Sequence, residues 1–341
     1  MRSEIGSEFE QPKEDQSGNG IKFPVQDYIL TLSGRTAIEL ALEGIKTARK
    51  ALLPSYCCDS MIEPFRKANI QVEYYDVSFD GELSIHIDIS DDIDILLWCN
   101  YFGFRQNMPD MSFFKDRGGI IIEDITHSFL SDTVFNQQSD YLVGSVRKWD
   151  AVVCGGFYAP LRKRDRVFRL DTPPEQYIEK RTTAMRLKAE YIAEEDESKK
   201  PVFLKMYSEC NKWLSEYYSH MGIDDYSRRY LNKVNIGEYQ AIRRENGEFL
   251  LHALEHMKGI YPLFPLEQMD CPLFIPLVVP ANRNRIRDIL TENGIYCPIH
   301  WPHPNASCKS NLYELELSLV CDHRYGIKDM QRMVSVLERI S

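Results

Sequence analysis

Three short segments of the chain carry residue types suited to covalent and phosphate chemistry. The first is residues 141–157, YLVGSVRKWDAVVCGGF, in which an apolar run ends in Ser145-Val146-Arg147-Lys148 and a Gly155-Gly156 pair follows. A lysine that forms a Schiff base near pH 7 needs a loop beside a sheet and partial desolvation, so that its amine is neutral and nucleophilic. Lys148 is placed for that; the alternative, since S-x-x-K alone matches freely, is a solvated lysine at a strand end. Ser145 offers a hydroxyl to a phosphate, and paired glycines let a backbone pass close to a ligand. The second segment is residues 118–127, GGIIIEDITH. Its apolar run, opened by glycines and closed by acids, reads as a buried parallel strand with function at its carboxyl end. Successive strand side chains alternate faces, so Glu123 and Asp124 cannot both meet one ligand. Asp124 is assigned to the site; the alternative for it is an N-cap of the turn that follows. The third segment, residues 28–42, YILTLSGRTAIELAL, reads as strand, turn and helix, with Gly34, Arg35 and Thr36 in the first helical turn. Unpaired amides there form a phosphate site without any metal, although Ser33 is also an ordinary cap.

Taken together, a Schiff-base lysine, a buried carboxylate and a phosphate turn are what pyridoxal 5'-phosphate requires. A carboxylate against the pyridine nitrogen keeps it protonated and makes the ring an electron sink. His127 then reaches the phenolic oxygen, or else is a satisfied core histidine. With these segments in view, the chain resembles the DegT/DnrJ/EryC1/StrS family of pyridoxal-phosphate-dependent sugar aminotransferases over nearly its whole length. SGRTAIELAL is similar to the family's phosphate turn, and ALLPSYCCDSMIEPFRKANIQVEYYDV to its next helix-and-strand unit. IIEDITHSF resembles the aspartate segment and GSVRKWDAVVCGGF the lysine segment; GIYCPIHWP and LSLVCDHRYGIKDM resemble C-terminal motifs. The resemblance implies an aspartate-aminotransferase-like α/β fold (fold type I): a mainly parallel seven-stranded sheet with helices on both faces, and a smaller C-terminal α+β domain. It implies Lys148 as the catalytic residue, and Gly34, Arg35, Thr36, Asp124, His127 and Ser145 around the cofactor. It also implies glutamate as amino donor, a nucleotide-linked keto sugar as acceptor, and a homodimer with shared sites. Other fold-type-I chemistry, that of a lyase or desulfurase, uses the same residues because the cofactor carries the reaction. A non-catalytic relative that keeps the pocket is a third reading, against which the complete lysine-aspartate pair argues.

Three departures from the family pattern stand out. Where an aromatic residue normally stacks on the cofactor ring, the chain has Pro54-Ser55-Tyr56-Cys57-Cys58, so either Cys58 or Tyr56 takes that place. The serine stands only three residues before Lys148. The family's cross-subunit asparagine has Asn232 and Asn235 as its candidates. A strand running into Cys297-Pro298 cannot continue as a regular ladder, so His300 and Trp301 fall on a loop. There they either shape the acceptor end of the site or simply pack and cap the small domain.

At 341 residues the chain suggests about two domains and can bury a large core. Its formal charge of −10 argues against broad binding of nucleic acid or anionic membrane, although Arg162-Lys163-Arg164 is a local basic cluster that suits a diphosphate. Nine cysteines without a C-x-x-C pair indicate neither a disulfide framework nor a zinc ribbon, and fit a reducing cytoplasm. The sequence has no apolar leader and no spanning apolar run, so it reads as neither exported nor membrane-embedded. Residues 1–22 read as an N-terminal arm without a core pattern. Residues 23–235 follow as a large cofactor-binding domain whose βα rhythm gathers Tyr101, Asp124 and Lys148 at the carboxyl ends of strands. This domain includes a helical excursion at about 174–222. Residues 236–341 form a long helix and a small domain.

Overall fold

The computed structural model describes residues 4–12, 18–132, 135–162 and 167–340; Lys163, Arg164 and parts of the N-terminal arm lie outside the described residues. In chain order the strands are β1 (Ile5–Gly6), β2 (Ile29–Thr31), β3 (Lys50–Pro54), β4 (Gln71–Phe79), β5 (Leu83–His86), β6 (Ile95–Cys99), β7 (Ile120–Asp124), β8 (Tyr141–Ser145), β9 (Gly156–Pro160), β10 (Tyr261–Pro262), β11 (Ile275–Val278), β12 (Ile295–Tyr296) and β13 (Glu316–Leu319). The helices are α1 (Gly34–Glu43), α2 (Asp59–Lys67), α3 (Ser112–Asp116), α4 (Glu175–Glu194), α5 (Lys199–Tyr217), α6 (Asp225–Leu231), α7 (Ile236–Leu254), α8 (Arg283–Glu292), α9 (Leu312–Leu315) and α10 (Ile327–Leu337).

The main sheet has the order β2-β9-β8-β7-β6-β3-β4-β5. Its five central strands, β8, β7, β6, β3 and β4, run parallel. Of these, β3, β6, β7 and β8 are buried along nearly their whole length and are rich in Ile, Leu and Val, as strands covered on both faces must be, whereas β4, next to the edge, is largely half-buried. The sheet holds eight strands rather than the expected seven. The added one is β5, an antiparallel edge joined to β4 by a tight turn at Gly81, where φ is +82°. Its side chains alternate between half-buried and exposed, so it leaves no apolar run in the sequence.

Alternation along the strands divides the core in two. Tyr141 and Val143 of β8 join a cluster with α1, α2 and the C-terminal elements, whereas Leu142 of β8 and Phe157 of β9 join one with α4, α5 and α6. Helices therefore cover both faces. The excursion is an antiparallel pair, α4 and α5, turned at Glu195 in the left-handed region with φ of +56°. Towards the C-terminus, β10, β11 and β13 form a small antiparallel sheet beside α8 and α10. The N-terminal segment is more ordered than its polar composition suggests. Ile5 is fully buried, β1 pairs in parallel with β12, and the fully buried Lys188 of α4 pairs with Glu4 at 3.2 Å and donates to the Gly6 carbonyl at 3.3 Å.

Candidate active site

Strands β6, β7 and β8 are neighbours in parallel register, with Cys99 opposite Asp124 and Asp124 opposite Val143, so their carboxyl ends open onto one place. A cavity of about 740 Å³ lies there. Asp124, His127, Ser145 and Lys148 line it, together with Gly34 and Arg35 from the start of α1. Cys58 at the start of α2 and the His300-Trp301 loop complete the sequence-assigned residues that reach it.

Each is positioned by local chemistry. Ser33 caps α1, its hydroxyl accepting the Thr36 amide at 3.4 Å, which leaves the Gly34 and Arg35 amides without acceptors among the described residues. A Cβ placed on Gly34 would lie 3.5 Å from the Ser145 Cβ, so those amides and the Ser145 hydroxyl share one corner. The Asp124 carboxylate accepts the Thr126 amide at 2.8 Å through Oδ1 and lines the cavity. Burial raises its proton affinity, only partly offset by Thr126, with the Glu123 charge pushing the same way as burial. Glu123 faces the other side of the sheet, held by Asn100 at 3.0 Å, the Asn136 amide at 3.0 Å and Ser139 at 2.7 Å. The His127 Nδ1 accepts the Phe102 amide at 3.3 Å, and burial, followed by the charges of His300 and Lys148, holds the ring well below the ordinary histidine range. A neutral ring whose Nδ1 accepts must carry its proton on Nε2, which is a donor towards the cavity. Lys148 ends a short 3-10 turn over Val146–Lys148 and is exposed in the cavity, with no hydrogen bond or ion pair among the described residues.

Three of the assigned residues do not reach the cavity lining. The Thr36 hydroxyl turns away to donate to the Tyr218 carbonyl at 2.8 Å. Tyr56 is fully buried between the rings of Tyr101, Trp301 and Tyr313, and its hydroxyl donates to the His300 carbonyl. Tyr101 donates to the Tyr56 carbonyl at 2.7 Å. Both tyrosines therefore brace the His300 loop from behind. Of the two positions in the PSYCC turn, Cys58 is the one at the cavity wall. The glycine pair also serves a different purpose from close approach to a ligand. A Cβ on Gly156 would meet the Thr31 Oγ1 at 2.1 Å and the Ser33 carbonyl at 2.2 Å, so this glycine lets β9 press against the turn that opens α1. Asn232 closes α6 and Asn235 caps α7, both outside the cavity of their own chain.

Several cavity residues escape sequence reading. Arg35, Arg147, Arg181, Arg243, Arg287 and Arg324 line it against few acids, making a basic pocket in an acidic chain. Glu8 reaches in from the N-terminal segment. Burial would raise its proton affinity, but Arg181 at 3.0 Å, with Arg147, Asn211 and Lys148, lowers it overall. Arg243 is fully buried on α7, at the same face as Tyr239, Asn246 and Leu250. An arginine at that apolar spacing is the signal available in the sequence. Its guanidinium donates to the Trp149 carbonyl at 3.2 Å and lies 4.8 Å from the Trp149 ring centre. Trp149 in turn donates from Nε1 to the Thr126 carbonyl at 2.6 Å, tying the Lys148 turn to the Asp124 turn.

No protein-family model matches the chain, and no curated protein matches its sequence. Solved structures match it in fold. S. venezuelae DesV, solved in complex with a ketimine intermediate, is 14% identical with a TM-score of 0.66, covering 93% of this chain and 85% of its own. Helicobacter pylori PseC, an aminotransferase involved in pseudoaminic acid biosynthesis, is 11% identical with a TM-score of 0.66, covering 93% and 87%. The E. coli GDP-4-keto-6-deoxy-D-mannose-3-dehydratase, solved with bound hydrated PLP, is 13% identical with a TM-score of 0.62, covering 92% and 88%. The chain has the fold of these proteins, the aspartate-aminotransferase-like arrangement that the sequence implies.

Proposed function

We propose that the chain is a pyridoxal-phosphate-dependent aminotransferase that passes an amino group from glutamate to a keto sugar carried on a nucleotide, in surface-polysaccharide or secondary-metabolite biosynthesis. The observation that carries this reading is the meeting of Lys148, Asp124, Ser145 and the open amides of Gly34 and Arg35 in one cavity at the carboxyl ends of β7 and β8. Proteins of this fold include one named an aminotransferase and one solved with PLP, which supports the cofactor and the reaction class. The basic lining suits a ligand that carries phosphates.

The residues present fit the cofactor. The Gly34 and Arg35 amides and the Ser145 hydroxyl have donors to spare for its phosphate, at the positive end of α1. The carboxylate of the buried Asp124, which lines the cavity, is an acceptor for a protonated ring nitrogen. His127 offers its Nε2–H to an anionic oxygen, and Cys58 lines the wall where an aromatic ring is usual in the resembling family. When bound, pyridoxal phosphate supplies an aldehyde that condenses with amines and a ring that takes up the electrons left when a proton departs from the amino-bearing carbon. Lys148 anchors the cofactor through Nζ and, once displaced by the donor amine, moves that proton as general acid and base. Trp149 and Arg243 keep the lysine turn in place. The His300-Trp301 loop, braced by Tyr56 and Tyr101, forms the acceptor end.

The working unit in this reading is a cytoplasmic homodimer with shared sites, each chain comprising the arm, large domain and small domain bounded above. The free state of all nine cysteines fits a reducing compartment. Half-reactions of the loaded protein with glutamate, with cysteine and with nucleotide-linked keto sugars, followed by visible absorbance, test the reading. Amino transfer from glutamate to a keto sugar is expected; release of sulfide from cysteine, or no reaction with any amine, would overturn it.

A further inference from the structure

His300 lies within the cavity lining but is gripped from behind by residues that no motif singles out. Glu316 and Ser318 stand two apart on β13, so both side chains leave the same face of that strand, and both are buried. The Glu316 carboxylate accepts the His300 amide at 2.7 Å through Oε2, and the Ser318 hydroxyl donates to its Oε1. The Ser318 Oγ also lies 3.0 Å from the His300 Nδ1. A hydroxyl has one proton, and an ionised carboxylate can only accept. With that proton committed to Glu316, the Ser318 oxygen is an acceptor, and the His300 Nδ1 must be the N–H that donates to it. In the neutral ring the lone pair then sits on Nε2, which makes no hydrogen bond among the described residues. The ring cannot turn to satisfy Nε2 elsewhere, because it is wedged against Phe102, Phe274, Trp301 and His127 at centroid distances of 5.0–5.8 Å.

We propose that the Glu316–Ser318 pair fixes His300 as a hydrogen-bond acceptor for an N–H or O–H group of the ligand, opposite His127 as a fixed donor. The two imidazoles sit 5.8 Å apart at 77°, with opposite tautomers imposed by different partners: the Phe102 amide on His127, and the side chains of the β13 pair on His300. A ligand that places an acceptor at His127 and a donor at His300 satisfies both; one turned end for end satisfies neither. Ser318 and Glu316 act through His300 and are positioning residues. The identity of the ligand rests on the aminotransferase reading, whereas the tautomer does not.

The test begins with the cofactor-free, full-length protein labelled with ¹⁵N-histidine, with His300 assigned by loss of its signals in His300→Gln. The wild-type ring is expected to be protonated on Nδ1; a proton on Nε2 overturns the proposal without recourse to any variant. Glu316→Gln keeps the shape but reverses the chain of donors. The glutamine oxygen must accept the His300 amide, so its NH₂ donates to Ser318, whose hydroxyl then donates to Nδ1, and the ring proton moves to Nε2. An unreversed tautomer in a folded Glu316→Gln protein overturns the proposal. In Ser318→Ala the Nδ1–H is expected to persist, because Glu316 Oε1 lies 3.6 Å away. In the loaded protein, Glu316→Gln is expected to slow one half-reaction by about tenfold or more, the scale of a hydrogen bond turned into a clash of donors. Loss in the glutamate half identifies the ligand group as the amine, and loss in the keto-sugar half as a hydroxyl. Wild-type rates in both halves contradict the acceptor role.

Discussion

Replacing Trp149 with phenylalanine tests whether the lysine turn and the aspartate turn are coupled. The ring is 1% exposed, and its only polar atom donates to the Thr126 carbonyl at 2.6 Å; the Thr126 amide is the donor that holds Asp124. Phenylalanine keeps the aromatic face beneath Arg243 but removes that donor. A carbonyl left unpaired costs about 1–3 kcal/mol, and the space of the missing pyrrole ring about 1 kcal/mol more, so a loss of about 2–4 kcal/mol is expected. At an unfolding entropy of about 2.1 cal/mol/K per residue, this corresponds to a fall in melting temperature of about 3–6 °C. Calorimetry of the cofactor-free protein reads that fall, and titration with pyridoxal phosphate reads the second effect. With Thr126 released, Asp124 loses its fixed geometry, and cofactor affinity is expected to weaken about tenfold, the scale of one hydrogen bond. A melting temperature within about 1 °C of wild type together with unchanged cofactor affinity would refute the coupling.

Asp124→Asn removes a desolvated charge, so the cofactor-free protein is expected to melt no lower than wild type while amino transfer falls by about 100-fold or more. Glu123→Gln has the opposite signature, a loss of about 1–3 kcal/mol from its three-donor network with turnover per folded molecule retained; lost turnover at an unchanged melting temperature would mean the strand faces are reversed. Gly156→Ala places a methyl group 2.2 Å from the Ser33 carbonyl, and is expected to destabilise by at least about 1–3 kcal/mol and to weaken phosphate binding; a wild-type melt contradicts the role given to this glycine. Burial pushes Asp150 up to about 6, against its bonds from Ala151 and Tyr230, so the folded state binds a proton that the unfolded chain releases until about pH 4. The burial penalty is present above pH 6 and disappears towards pH 4. Relative to Asp150→Asn, wild type is therefore expected to gain up to about 3 kcal/mol as the pH falls from 7 to 4; a pH-independent difference between their melting curves would refute this.

Legibility in the sequence followed the strength of local rules. The parallel core was readable because strands buried on both faces are unbroken Ile, Leu and Val, as in β6 and β7. Alternation indicated that Asp124 and Glu123 face opposite sides without saying which faces the site, and their hydrogen bonds lie on opposite sides of β7. The edge strand β5 was not readable, because a half-exposed edge carries no apolar run. Thr36 and Tyr56 were drawn towards the site by motif position, yet each has a buried partner supplied by a distant segment, Tyr218 and the His300 loop respectively. Arg243, Glu8 and the Glu316–Ser318 pair were missed for the same reason. Glu8 and Arg243 reach the cavity, and the Glu316–Ser318 pair reaches His300 behind it, through tertiary packing of elements remote in sequence; spacing marks Arg243 as buried on α7 but not what it faces.

Lys148 as the cofactor-bearing residue is the claim on which the account stands. The direct measurement is borohydride reduction of the protein after loading with pyridoxal phosphate, followed by peptide mapping. A single pyridoxyl group on the peptide containing Lys148, absent in Lys148→Ala although that variant still binds cofactor noncovalently, is the expected result. A pyridoxyl group on another lysine, or none in a protein that retains its fold, would contradict it.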